Sequence, residues 1–478
     1  MARRIAGATG TSRAGAGAPP DLPARCGRDA AALHARRLLE ACGRPIAVAD
    51  RTAPLSPARE WALSGAMALT GPAEAAPRFA PGPLATAMRG AGLALAALAP
   101  GSPLATLDTP ALLSERAAIG GLTRQGTTTA GGSGRLIAAR HGHLALNLPR
   151  DDDWRLLPAW LETEIGIERP RWDAIANLIA SREVDALVER GRLMGLAVAD
   201  APERPLANRP LFTASHVTTR PKRPASRPVR LLDLSTLWAG PLASSLLAMA
   251  GFEVLKIESP ERPDGARKGP RPFFDLMNGG KGACTLDLRR AADCTSFERL
   301  LEGADVVLES ARPRALSQLG FDASHWLKGA PGRIWASITG YGRAHEWIAF
   351  GDDAAVAAGL AFPPDEDGGK SRATPCFCAD AIADPLTGLH AAATILAHWQ
   401  AGRGGLLEFS LVDVAAASAS VPDDELVLPI EASDRDWSLL DTGRPIPIAA
   451  PRVRRVTATA PPLVAANEAL IRHWTTPC

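Results

Sequence analysis

From Val229 to about Ser420 the chain alternates two kinds of hydrophobic run. The short ones are "VRLLDLS" (229–235), "EVLKIE" (253–258), "ACTLDL" (283–288), "DVVLES" (305–310), "GRIWASITG" (332–340) and "LLEFSLVD" (406–413). They are apolar without clean alternation, as expected of strands covered on both faces. Between them lie "PLASSLLAMAG" (241–251), which closes on a glycine, "TSFERLLEGA" (295–304), "ALSQLG" (315–320) and "TGLHAAATILAHW" (387–399), all with helical character. Strands alternating with helices predict an α/β fold, a doubly wound, Rossmann-like parallel sheet over 229–420.

The preceding half follows another rhythm. "GRLIAARHGHLALNL" reads as a hairpin turning at His141-Gly142, and "WRLLPAWLETEIG" (154–166) and "WDAIANLIASREVDALVERGRLMG" (172–195) read as helices. Together they predict a smaller α+β domain over 131–200. The Pro-, Arg- and Ser-rich stretch 201–228 is expected as a linker, and 421–478 as a proline-rich return segment with a closing helix. The opening residues, Arg-, Gly- and Ala-rich with no acid before Asp21, predict a disordered tail over 1–25, with a targeting segment as the alternative.

A weak internal repeat runs through the chain in constant order. "EWALSGAMALTGP" (60–72) parallels "DDAAVAAGLAFPP" (352–364), "PGPLATAMRGAGLALAALA" (81–99) parallels "ADPLTGLHAAATILAHWQA" (383–401), and "TLDTPALL" (106–113) parallels "SLVDVAAA" (410–417). The order predicts that 26–130 is a degenerate partial copy of the large domain. The copies differ where a helix should start: Asp384-Pro385 in the second, Gly82-Pro83 in the first. Both Asp and Gly suit an N-cap, and Pro suits the first helical position. Only the second retains a carboxylate there, held as the anion by the helix dipole, the form a carboxylate nucleophile needs.

Composition narrows the classes. A net charge of +2 gives no reason to expect nucleic acid, and no apolar stretch approaches the ~20 residues that span a bilayer. Seven irregularly spaced cysteines argue against a disulfide framework, so a reducing cytoplasm is expected. Cys376 and Cys378 form a lone CxC, expected as inert thiols, and no metal is predicted. The first βα turn, "LSTLWAGPLASS", holds only Gly240, too little for a dinucleotide fingerprint. The turns after the strands carry Lys256, Arg262, Arg267, Lys268, Arg271, Lys281, Arg312 and Arg314. Cations along that rim suit a ligand with several phosphates. His390 is expected as a satisfied helix histidine.

The string "LLDLS…WAGPLASSLLAMAGFEVLKIESP…NGGKGACTLDL…ADVVLESARPRALSQLGFD…ASITGYG…ADPLTGLHAAATILAHWQAGRGGLLEFSLVD" resembles the family III CoA-transferases, the group of formyl-CoA and carnitine-CoA transferases that also contains the α-methylacyl-CoA racemases. The resemblance implies Asp384 as nucleophile with Gly388 as its glycine. It implies contacts to coenzyme A from Trp238, Ala239, Lys256, Lys281, Arg314, Thr339 and Tyr341. It also implies acyl-CoA and a carboxylic acid as substrates, no tightly bound cofactor, and a homodimer or an internal pseudo-dimer. Two positions depart from the pattern. Gln318 stands where the formyl-CoA transferases carry an arginine, while Arg314 replaces a glycine. Asp352 stands where the racemases carry a histidine, which disfavours racemisation, since that needs acid/base partners on both faces of the α-carbon. A racemase-like isomerase and a non-catalytic CoA-binding protein remain the alternatives.

Overall fold

The computed structural model describes residues 29–48, 55–164, 171–220, 227–364, 374–421, 427–432, 436–441, 443–463 and 468–475. The expected tail over 1–25 lies outside them.

The N-terminal segment is helical: α1 (Ala30–Ala41), α2 (Pro57–Leu63), α3 (Leu84–Leu98) and α4 (Glu115–Gly120), joined by turns. Among the described residues from 29 to 130 there is no strand, so the segment expected to copy the large domain has none of its sheet. The small α+β unit follows as β1 (Gly134–Ala139), β2 (Gly142–Asn147), α5 (Asp151–Trp160), α6 (Trp172–Ile179), α7 (Val184–Leu193) and β3 (Ala197–Asp200). Strands β1 and β2 form the expected hairpin, and His141 takes a left-handed φ of 66° in its turn. Strand β3 pairs with β2.

The expected linker contributes a strand of its own, β4 (Thr213–Thr219). Its sequence, "TASHVTT", is rich in β-branched residues, and it pairs antiparallel with a later strand while remaining almost wholly exposed. The large unit continues with β5 (Arg230–Leu234), α8 (Ala239–Met249), β6 (Glu253–Glu258), α9 (Arg271–Asn278), β7 (Gly282–Thr285), α10 (Ala291–Gly303), β8 (Val306–Glu309), α11 (Ala315–Gln318), α12 (Ala323–Lys328), β9 (Ile334–Thr339), α13 (Gly351–Ala357), α14 (Ala383–Gln400), β10 (Arg403–Ser410) and α15 (Leu411–Ala419). The chain closes with β11 (Ile430–Ala432), β12 (Trp437–Asp441), β13 (Arg444–Pro447) and α16 (Glu468–Thr475).

The large sheet runs β4-β10-β9-β8-β5-β6-β7, and all its pairs are parallel except β10–β4. After β5 the chain builds outward through β6 and β7, then returns to the other side of β5 for β8, β9 and β10. That reversal is the doubly wound arrangement, and it puts a crevice between the C-terminal ends of β5 and β8.

Helix α14 is buried nearly all round, as expected of a helix without a polar face. It packs on α8, α15 and β10, and also on α3. Helix α1 packs on α3 much as α8 packs on α14. Between the two helix pairs His34 and His390 meet, Nε2 to Nε2 at 2.8 Å. His390 Nδ1–H donates to Leu386 O at 2.7 Å, so its Nε2 is the acceptor and His34 is the donor. Burial holds both imidazoles neutral, His34 pushed down to about 3 and His390 to about 4. His390 is thus the satisfied core histidine that the sequence suggests.

Candidate active site

A cleft of about 430 Å³ opens at the crevice between β5 and β8. Leu234 and Thr236 line it at the end of β5, Glu258 and Ser259 at the end of β6, Asp287 after β7 and Ala311 after β8. From Thr236 the β5–α8 turn crosses to Ala239 in three residues, no more than about 11 Å of chain.

That turn is held from beneath by the two lysines expected to contact the ligand. Lys281 is fully buried and donates from Nζ to Ser244 Oγ (2.7 Å), Asp233 Oδ2 (2.9 Å), Asn278 Oδ1 (3.0 Å) and Pro241 O (3.1 Å). Lys256, also buried, donates to Ser235 O (2.8 Å) and pairs with Asp264 Oδ2 (2.9 Å). An ammonium has three donors: Lys281 meets four acceptors within the protein and Lys256 two, so both hold the turn from beneath. Burial pushes Lys281 down to about 8 despite Asp233 beside it, while Asp233 itself is held well below the usual carboxylate range by the two lysines. Asp264 also accepts from Leu237 N–H (2.9 Å). Leu237 takes a left-handed φ of 68°, a strained conformation for a branched side chain. Trp238, the N-cap of α8, is buried edge-on to Phe273.

Across the turn stands Asp384. Helix α14 begins at Ala383 with Ile382 as N-cap, so Asp384 is its second residue and not its cap. The backbone N–H groups of Ala239 and Gly351 lie close enough to its carboxylate to favour the charged form. A Cβ on Gly351 would lie 2.3 Å from Asp384 Oδ2, so glycine is needed for that approach. Gly388 lies one turn further along α14. A Cβ there would meet Ala239 O at 2.6 Å, so the glycine lets α14 close on the start of α8.

Three further carboxylates surround Asp384. Asp352 accepts from Ala381 N–H (2.8 Å), and Asp353 from Asn147 Nδ2 (3.0 Å) and Phe350 N–H (3.1 Å). Asp380, fully buried, takes a two-pronged ion pair from Arg116 of α4, with Nε 2.9 Å from Oδ2 and Nη2 on Oδ1. Burial raises Asp352 and Asp353 to about 7 and Asp384 to about 6, and Arg116 opposes the rise at Asp384. Ala379 and Ala381 both take positive φ, 56° and 44°, so the segment entering α14 is bent against steric preference just where it aims these groups.

The remaining expected residues are more peripheral. Thr339 Oγ1 accepts from Gly342 N–H (2.9 Å), closing the turn after β9. Tyr341 accepts from Arg192 Nη2 (3.2 Å), and its ring stands edge-on to Trp347. Arg314 is exposed, 3.3 Å from Glu346, and does not line the cleft. Cys376 and Cys378 are buried, and burial pushes both thiols up, Cys376 to about 11. Among the described residues no group of His, Cys, Asp and Glu is arranged to hold a metal ion, and no helix is long and apolar enough to cross a membrane.

Residues 227–422 match the family described as CoA-transferase family III, the segment that forms the large sheet and carries Asp384. The similarity to CoA-transferase family III is thus confined to those residues. Curated relatives agree. A succinate–glutarate CoA-transferase of Agrobacterium fabrum is 29% identical over 213 residues, 41% of this chain and 53% of its own. A formyl-CoA:oxalate CoA-transferase of Escherichia coli is 28% identical over 199 residues, 39% of this chain and 47% of its own. The chain thus spans about half the length of the curated relatives it matches. A crystal structure of Rv3272 from Mycobacterium tuberculosis is 29% identical over 41% of this chain and 56% of that one, with a TM-score of 0.36.

The family III segment leaves out one residue that acts on Asp384. Arg116 lies outside 227–422, in a stretch ("LLSERAAIGG") that carries no motif. Asp380 and Gly351 lie inside the segment. Asp352 is noticed in the sequence only as a replaced histidine, although its neighbour Asp353 and Asp380 flag an unusual density of acids.

Proposed function

We propose that the protein is an acyl-CoA:carboxylate CoA-transferase with Asp384 as nucleophile. The observation that carries this reading is the setting of the Asp384 carboxylate. It is only half-buried, it sits in the first turn of a helix with two backbone N–H groups directed at it, and the nearest guanidinium engages Asp380 instead. The β5–α8 turn links it to a cleft at the sheet's switch point, where the nucleotide end of coenzyme A is accommodated.

The carboxylate oxygen attacks the donor thioester carbonyl, forming an acyl-aspartyl anhydride and releasing CoA thiolate. The thiolate attacks the Asp384 carbonyl, giving an aspartyl-CoA thioester and the free donor acid. An acceptor carboxylate then attacks that thioester, and the released thiolate takes the acceptor acyl group and regenerates Asp384. Covalent catalysis divides the exchange into steps between species of similar reactivity. Coenzyme A enters and leaves as substrate. Backbone donors such as Ala239 N–H and Gly351 N–H stabilise the oxyanions, each such donor being worth about 2.7–4 kcal/mol.

The N-terminal segment, with no strand among its described residues and no carboxylate at the start of α3, is a remnant copy that covers the second helix pair as a pseudo-partner would. Dimerisation of the whole chain is tested by its mass in solution.

The test is a mass-spectrometric screen of acyl-CoA and acid pairs, beginning with succinate/glutarate and formyl-CoA/oxalate from the named relatives. Hydroxylamine trapping of an Asp384 adduct accompanies it. Asp384→Ala is expected to abolish transfer and trapping while CoA still binds. Turnover retained in that variant would refute the assignment.

A further inference from the structure

The N-terminal segment does more than cover α14. We propose that Arg116 is a positioning residue of the active site, supplied from outside the family III segment: its guanidinium fork cancels the charge of Asp380 and so leaves Asp384 as the free nucleophilic carboxylate. This rests on the Asp384 reading above.

The geometry supports a role beyond joining two segments. Arg116 engages Asp380 through both Nε and Nη2, the paired arrangement that fixes a guanidinium in orientation as well as place. The same guanidinium lies over the Trp238 ring, 5.6 Å from its centre. Trp238 caps α8, and the next residue, Ala239, supplies an N–H to Asp384. One cation therefore braces both walls of the site: the loop before α14 through Asp380, and the start of α8 through Trp238.

The charge inventory explains why the site needs it. Asp353 faces Asp384 from α13, with Asp352 beside it acting on Asp380 and Arg116, and Asp380 faces Asp384 from the segment before α14. The wall formed by α8 offers the backbone of Ala239, and Arg116 faces the group from α4. Carboxylates crowded out of water cannot all ionise, and without a counter-charge protons gather on them. A protonated Asp384 has no nucleophilic oxygen pair to offer. Asp380 works against Asp384 and Arg116 works for it, although the two are partners in one ion pair.

That opposition supplies the test. A simple structural bridge is damaged alike by removal of either end. The proposed role moves the two single variants in opposite directions. The full-length protein is treated with a water-soluble carbodiimide and glycine ethyl ester across pH 4–9. Labelling of Asp384 is followed by peptide mass spectrometry and normalised to the exposed Asp185. The wild type should lose Asp384 reactivity with a midpoint near pH 6. Arg116→Met should move the midpoint upward by about one pH unit or more, the scale of losing a close opposite charge. Asp380→Asn should move it downward, the double variant should return near wild type, and Arg116→Lys should retain most of the wild-type position. Midpoints of Arg116→Met and Asp380→Asn that stay in place, or that move together, with native circular dichroism would overturn the proposal. Because the readout is a titration and not turnover, it is separable from the nucleophile assignment: Asp384→Ala with normal activity would sink that assignment and leave these midpoints as measured.

Discussion

Helices α3 and α14 begin with nearly the same words and end up with different equipment. In α14 the helix starts at Ala383, one residue before Asp384, so the carboxylate lies inside the first turn beside the N–H groups of Ala239 and Gly351. In α3 the matching Gly82 precedes the N-cap, Pro83, and the helix starts only at Leu84. A Cβ on Gly82 would come within 2.4 Å of Ala419 O and 2.6 Å of Ala419 Cα, both backbone atoms at the end of α15. At the Gly82 start the place where a side chain would stand is filled by the C-terminus of α15. Where the α14 start holds the proposed nucleophile, the α3 start holds a packing contact.

The comparison can be broken in several ways. Asp384→Gly makes the second start resemble the first and should reduce CoA transfer by at least ~10³-fold, as loss of a covalent nucleophile does, measured in single turnover. Restoring the acid at the other start, as Gly82→Asp on that background, should recover none of it. Gly351→Ala leaves the carboxylate in place but pushes it off its N–H donors. Because a displacement of about 1 Å can cost roughly 100-fold, kcat should fall on that scale, and because the same methyl meets Ala381 O at 2.3 Å the unfolding free energy should fall as well. In the wild type, kcat/KM should rise about tenfold per pH unit below a limb near pH 6 and level off above it, because Asp384, raised to about 6, must be deprotonated to react. The smallest effects belong to packing. Gly82→Ala and Gly388→Ala should each lower unfolding free energy by about 1–3 kcal/mol in urea titrations, since each new methyl meets rigid backbone. Only Gly388→Ala should also reduce activity, by moving Ala239.

The doubly wound order was readable in the sequence because strands covered on both faces leave continuous apolar runs, and "VRLLDLS" and "DVVLES" became neighbours at the switch point. Asp384 stands out in the sequence because a similar helix start, Gly82-Pro83, lacks its carboxylate. The internal partners of the lysines were not legible: a cation after a strand looks the same in sequence whether it turns out to a phosphate or in to a buried aspartate, and Asp233, which takes Lys281, lies 48 positions away. Strand β4 was hidden inside a proline-rich stretch because an exposed edge strand buries too little to leave a hydrophobic signature. Arg116 left no signal at all, since its meeting with Asp380 spans 264 positions and depends wholly on how α3 and α14 come together.

The touching imidazoles of His34 and His390 add a built-in clock. The hydrogen between them has one owner and no aqueous neighbour, so it can trade places with deuterium only during moments when the leading helices lift away. Its lifetime in heavy water, followed as a single ring-nitrogen resonance, reports how often that cover is raised.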